Sequence, residues 1–224
     1  MVPPNVPAHF RLFYTTIDFD GRIDDRIREL VSPARLYSCH QVHGNQAMAV
    51  GRTPLAEEMS RRPTANGERR SEPTCDALWS DERQIALAIK VADCLPVSII
   101  DAEHVVMANI HSGWRGAVQQ ITAKTLDAAL LHPGHSIAFL GPTIRVCCFE
   151  VGEEVAEQFD ARFVDRSHGP KPHVDIPAFT ADVLRERGFA EIVDTELCTR
   201  CPDSIFHSYR RDKRSGRNLA IVVA

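Results

Sequence analysis

The sequence predicts a single α/β domain in which a mixed sheet carries flanking helices. Three observations carry that expectation. The chain has 224 residues, enough to bury one large core without covalent staples. Short apolar runs rich in β-branched residues recur along it, and segments with helical spacing of apolar residues lie between them. In chain order, the stretch over 55–74 is charged, aperiodic and interrupted by Pro63, Gly67 and Pro73, which predicts a mobile loop inside the domain. Strand-like runs follow at 85–92, 97–101 and 104–110. A helix is expected over 114–131, where Trp114, Ala117, Val118, Ile121, Thr125 and Ala128 share one face. The run at 136–141 reads as another strand, and Val151, Val155 and Phe159 repeat the helical spacing. A further helix begins near Pro177, a favoured first-turn residue, with Asp175 placed to cap it and Gly188 to end it. A closing strand covers 219–223. No internal repeat is present, and these patterns leave the strand order open.

Composition narrows the function. Hydrophobic residues make up 44% and charged residues 25%, and the formal net charge of -4 provides no field for nucleic acid. No apolar stretch is long enough to span a membrane, and the first eight residues lack the basic region and apolar block of a signal peptide, so a cytoplasmic protein is expected. The seven cysteines are odd in number and scattered, which suits reduced thiols better than a disulfide framework. In a reducing compartment, a thiol near histidines is a metal ligand or a nucleophile.

Asp101, Ala102, Glu103 and His104 separate two strand runs and predict a hairpin centred between residues 102 and 103. In a two-residue hairpin with that centre, Cys94 faces His111. Opposed side chains have Cβ atoms roughly 4.5–5.5 Å apart, a spacing that suits two ligands of one tetrahedral ion. Pro96 lies in the way, because proline donates nothing to a ladder. A third ligand must come from elsewhere, and His40-Gln41-Val42-His43-Gly44 offers two histidines. Three protein ligands with an open fourth position are the arrangement of catalytic zinc. Cys198 and Cys201 form a lone C-x-x-C and read as structural cysteines. Adjacent Cys147 and Cys148 diverge in regular backbone, and His132 with His135 flank a turn; neither pair receives a role.

Ala92-Asp93-Cys94-Leu95-Pro96-Val97, His111-Ser112-Gly113-Trp114-Arg115-Gly116 and Gln41-Val42-His43-Gly44 closely resemble the signatures of the laccase-domain family. Its members were once described as multicopper polyphenol oxidases and are now described as YfiH-like purine nucleoside phosphorylases. Cys75-Asp76-Ala77-Leu78, Gly141-Pro142-Thr143-Ile144, Cys147-Cys148-Phe149-Glu150-Val151-Gly152 and Phe206-His207-Ser208-Tyr209-Arg210-Arg211-Asp212 add to the match, which runs from about residue 36 to the end. The resemblance implies the family's own α/β fold and a zinc ion on His43, Cys94 and His111. It further implies phosphorolysis of adenosine, inosine and S-methyl-5'-thioadenosine, with adenosine deamination besides. Three departures bear on the substrate pocket: Phe13-Tyr14-Thr15-Thr16 where the family has Ser-Thr-Arg and a double glycine, Arg145-Val146 before the paired cysteines, and Ser215 before Gly216.

Within that reading, an ion with an open position promotes attack by water on C6 of adenine. Phosphorolysis also needs a phosphate held near the anomeric carbon, and a forked guanidinium suits phosphate. Arg115 is the first candidate, with Arg210 and Arg211 next, and Gln41 joins them on the substrate side. Asp93, beside Cys94, is a candidate to orient a ligand or relay a proton. Three rivals stand against this reading. A copper-dependent polyphenol oxidase makes copper the second choice of ion, yet multicopper centres need further histidine clusters and the chain has no His-x-His pair. A cysteine hydrolase uses Cys94 as nucleophile and His111 as base. A non-catalytic zinc protein binds a nucleotide-sugar or a peptidoglycan precursor, with a fourth ligand from Cys39 or His40. The sequence sets no oligomeric state.

Overall fold

The computed structural model describes residues 1–21, 23–51 and 72–224. The loop expected over 55–74 therefore lies, as far as residue 71, outside the described residues.

Two mixed sheets and the helices outside them stack as four layers. The smaller sheet joins β1 (Arg11–Tyr14), β12 (Asn218–Val223), β5 (Ile85–Val91) and β2 (Arg35–Ser38) in that order, with β2 parallel to β5 and the other pairs antiparallel. The larger sheet runs β11 (Glu191–Asp194), β8 (Ser136–Leu140), β6 (Leu95–Asp101), β7 (Val106–Ser112), β4 (Ala77–Ser80), β3 (Ala47–Ala49). Its end pairs are parallel and its centre antiparallel. A short antiparallel pair, β9 (Val164–Asp165) with β10 (His173–Val174), stands apart.

One core lies between the sheets, with Leu87 and Val222 from the smaller sheet and Leu78, Ile100 and Phe139 from the larger. A second core covers the other face of the larger sheet, where Val97, Ile99 and Ile110 meet Ile121, Leu126 and Leu184. The smaller sheet's outer face, with Ala86, Ala88 and Ile221, takes Ile27 and Val31 of α1 (Asp25–Val31). Since β5, β6 and β7 are covered on both faces, their sequences read as continuous apolar runs rather than alternating ones. The four short strands β1, β2, β3 and β4, together with β11, carry too few residues to show a period, and the sequence pattern passes over them.

Three expectations need correction. The hairpin pairs Asp101 with Val106 and Leu95 with Ser112, so the loop has four residues and the register differs by two from the expected one. Asp101 is the cause: its Oδ1 accepts from the backbone N–H groups of Glu103 (3.1 Å) and His104 (3.0 Å), which closes an Asx turn wider than a two-residue one. His111 consequently faces Pro96, and Cys94 lies just beyond the ladder.

The helix over 114–131 is two helices, α2 (Trp114–Val118) and α3 (Ile121–Ala129), separated at Gln120, whose φ is 63°. Ala117, Ile121 and Thr125 keep the expected buried face across the break, and the face then continues through Leu126 and Ala129, leaving Ala128 exposed. Val151, Val155 and Phe159 are all buried, but only one turn between them, α4 (Glu153–Ala156), is helical. The last helix, α5 (Ile176–Glu186), agrees with expectation. Asp175 accepts from the Ala178 N–H (2.9 Å), and Gly188 follows the end at φ 90°.

Candidate active site

His43, Cys94 and His111 arrive from three elements at one end of the central strands of the larger sheet. His111 is the penultimate residue of β7, Cys94 immediately precedes β6, and His43 sits in the loop between β2 and β3 at φ 60°. Their ligand atoms lie within 4.8 Å of one another, and the two imidazole rings meet edge to face with centroids 4.8 Å apart. Gly113, beyond the end of β7, lets this happen: a Cβ there would stand 3.0 Å from Cys94 Sγ and 3.4 Å from His43 Cδ2.

Asp76 organises the group, and no role follows for it from the sequence pattern. It precedes β4, in register with His111, whose backbone N–H bonds the Asp76 carbonyl (2.7 Å). The fully buried carboxylate accepts from His111 Nδ1 (2.8 Å), His43 N (2.9 Å), Gly44 N (2.7 Å) and Val42 N (3.3 Å). Burial pushes its pKa up, but these donors outweigh burial and hold it below the usual carboxylate range. An ionised Asp76 only accepts, so His111 Nδ1 carries the proton and Nε2 is left free to ligate. One side chain thus sets a tautomer and straps down the His43 loop. The adjoining Cys75-Asp76-Ala77-Leu78 motif was visible in the sequence; its spatial partners were not.

Electrostatics prepare the sulfur. Burial disfavours the Cys94 thiolate, yet the His111 and His43 rings overcome that and bring its pKa to about 6. His111 is raised to about 9: burial opposes its charge, and the Cys94 sulfur and Asp76 carboxylate more than compensate. A thiolate and two imidazoles suit zinc, and no fourth protein ligand joins them among the described residues. Cys39 is buried against Cys75 instead, and His40 lies on the cleft wall.

The group opens into a cleft of about 690 Å³, the size of a small-molecule site. Trp114, Phe149 and Tyr209 give it aromatic faces, and Arg115, Arg210 and Arg217 give it positive charge. The Arg115 guanidinium lies 4.3 Å over the Trp114 ring, is exposed, and has no carboxylate partner among the described residues. Arg210 reaches over Phe149 (5.4 Å) while its Nη1 donates to Glu150 O (2.7 Å). Gln41 faces the cleft, but its amide is tied to Lys90, donating to its carbonyl (2.7 Å) and accepting from its N–H (2.8 Å).

Two of the expected site residues turn out to have structural partners. Asp93, at φ 90°, accepts from Thr199 Oγ1 (2.7 Å) and Arg210 N (2.7 Å), so its carboxylate fastens the C-terminal segment to the cleft wall. Arg211 does not reach the cleft. Its guanidinium donates to the carbonyls of Thr199 (3.0 Å), Cys201 (3.4 Å) and Phe206 (2.6 Å), which occupies it in holding a loop.

The chain is similar to known proteins over most of its length. Residues 22–224 match the model of the family described as multi-copper polyphenol oxidoreductase laccase. The purine nucleoside phosphorylase YfiH of Escherichia coli (strain K12) is 30% identical over 197 residues, which cover 85% of this chain and 74% of that protein. The adenosine deaminase RL5 of an unknown prokaryotic organism is 31% identical over 196 residues, covering 82% of this chain and 70% of RL5. The crystal structure of protein NMB0706 from Neisseria meningitidis matches with a TM-score of 0.83 at 25% identity, covering 100% of this chain and 98% of that one. The Bacillus licheniformis protein YfiH, at 19% identity and a TM-score of 0.81, shares the fold.

Proposed function

The chain belongs to the multi-copper polyphenol oxidoreductase laccase family, and we propose that it is a zinc-dependent purine nucleoside phosphorylase that also deaminates adenosine. Adenosine, inosine and S-methyl-5'-thioadenosine are its substrates, with phosphate as co-substrate. The observation that carries this reading is the joining of a His-Cys-His group to an aromatic and cationic cleft in one cavity. The names of the similar proteins support the two activities: YfiH of Escherichia coli is a purine nucleoside phosphorylase and RL5 an adenosine deaminase.

His43, Cys94 and His111 hold the ion, and the donor set favours zinc over copper. A blue-copper site adds an axial methionine and a multicopper centre further histidines. Among the described residues no methionine lines this cleft, and the other ligand group consists of cysteines alone. When bound there, zinc would supply a Lewis acid to the cleft.

The chain's own residues do the rest. Asp76 keeps a proton on His111 Nδ1 and holds the backbone N–H of His43, so the centre is preorganised before substrate arrives. Trp114, Phe149 and Tyr209 offer apolar faces on which a purine ring stacks and from which water is excluded. Arg115, free of any described carboxylate, binds phosphate through its fork, and Arg210 adds positive charge to the same cleft. Asp93 acts as a positioning residue that carries Arg210, and Gln41 braces the His43 loop against Lys90.

The deciding experiment couples metal analysis to an adenosine assay with and without phosphate, comparing wild type with Cys94→Ala. Phosphate-dependent release of adenine, phosphate-independent formation of inosine, and loss of both in Cys94→Ala together with about one equivalent of zinc are expected. Undiminished turnover by metal-free protein would transfer the chemistry to the Cys94 thiolate. Bound zinc without nucleoside turnover would overturn the substrate assignment.

A further inference from the structure

Four cysteines that carry no role in the cleft converge on the far side of its wall. Cys147 and Cys148 lie in the turn after Ile144, where the irregular backbone brings both side chains to one side. Cys198 and Cys201 come from the segment after β11. The sulfurs of all four lie within 4.8 Å of one another, with Cys201 Sγ 3.9 Å from Cys148 Sγ and 4.0 Å from Cys147 Sγ. Zn–S bonds of about 2.3 Å in a tetrahedron place neighbouring sulfurs about 3.8 Å apart. The two separations from Cys201 are close to those of ligands around one ion, and all four sulfurs fall near enough to share it.

We propose that Cys147, Cys148, Cys198 and Cys201 form a second metal centre, a closed four-thiolate site for zinc or a similarly thiophilic divalent ion. Its surroundings are built for thiolates. The backbone N–H groups of Arg145, Arg200 and Cys201 are directed at Cys198 Sγ, and those of Arg200 and Cys201 come from its own C-x-x-C segment. The two segments are also stitched together through the backbone: Thr143 N donates to Leu197 O (3.1 Å), Thr199 N donates to Thr143 O (2.9 Å), and Arg211 binds the carbonyls of Thr199 and Cys201. The sulfurs are therefore positioned by the fold. Binding exchanges thiol protons for the ion and involves no redox change.

Four protein ligands leave no open position, so the centre is structural. It fastens the turn that leads to Phe149 onto the segment whose Thr199 hydroxyl holds Asp93, and Asp93 in turn holds Arg210. The ion thereby supports the cleft wall from behind without touching substrate.

The test uses the Cys94→Ala chain, purified under reducing conditions, so that the cleft site is disabled. It retains about one equivalent of zinc of the two that wild type holds. Loaded with Co2+ in place of zinc, it shows the intense visible bands and the sulfur-to-metal charge transfer of a tetrahedral four-thiolate centre. Adding Cys198→Ser and Cys201→Ser abolishes both. A Cys94→Ala chain with no bound zinc and no such cobalt spectrum overturns the proposal. So does a disulfide joining the peptides that contain Cys148 and Cys201 in protein kept anaerobic throughout. Should the triple variant fail to fold, the cobalt spectrum of Cys94→Ala alone decides.

Discussion

His111 presents one nitrogen to the cleft because the other is occupied by Asp76, and that hydrogen bond is the most informative contact in the molecule. Asp76→Asn keeps the shape but replaces an acceptor-only group with an amide that no longer enforces the tautomer. Metal affinity, measured by competition with a chromophoric chelator, is expected to fall about 10–100-fold. The arginines separate in the same way. Arg115→Ala should raise the KM for phosphate roughly ten-fold or more, the loss of one charged hydrogen-bonding partner, while adenosine deamination is spared. Arg211→Ala should leave the phosphate KM unchanged and lower the thermal midpoint by about 2–4 °C per kcal/mol lost, since its partners are three backbone carbonyls. Paired phosphorolysis kinetics and melting curves read both outcomes. At this scale the sequence supplied residue types and motif order. It offered nothing to distinguish Arg210, in the cleft, from Arg211, outside it, because neighbouring side chains leave the backbone in different directions.

Among the elements, the β6–β7 hairpin brings His111 beside Cys94, and its turn is set by a fully buried carboxylate. Burial pushes the Asp101 pKa up, but the His104 and Glu103 N–H groups and the His104 ring (2.9 Å) together lower it. A carboxyl whose pKa is lower in the folded than in the unfolded chain stabilises the fold above its ordinary range, and that contribution is lost as pH falls through the depressed value. Asp101→Asn should therefore cost roughly 1–3 kcal/mol at neutral pH and flatten the acid limb of the stability profile. Urea midpoints taken from pH 7 down to pH 3 check both. The hairpin and the two-part helix show where periodicity stops being informative. Apolar spacing located both, yet the helix break at Gln120 and the two-residue change of loop length at Asp101 come from a left-handed backbone and local hydrogen bonds. Hydrophobicity does not encode either.

Across the whole molecule, Asn109 joins the two sheets. It is fully buried on β7, its Nδ2 donates to Leu87 O (2.9 Å) and Ala220 O (2.8 Å) of the smaller sheet, and its Oδ1 accepts from Ser98 Oγ (3.0 Å). Asn109→Ala leaves those groups unpaired in an apolar layer and is expected to cost roughly 2–4 kcal/mol. The urea midpoint should fall with an unchanged slope. Composition, period and motif order were enough, from the sequence by itself, to establish a mixed α/β domain, five of its strands, its last helix and the His-Cys-His ligand candidates. These are local or one-dimensional properties: a buried strand reads as an apolar run, and a capped helix carries its cap beside it. Tertiary structure alone decided the order of the strands, the place of Asp76 beneath two histidines, the bridging by Asn109, and the meeting of two cysteine pairs more than fifty residues apart. Each depends on register between strands or loops distant in sequence, and register is set by the packing of the whole core rather than by any segment within it.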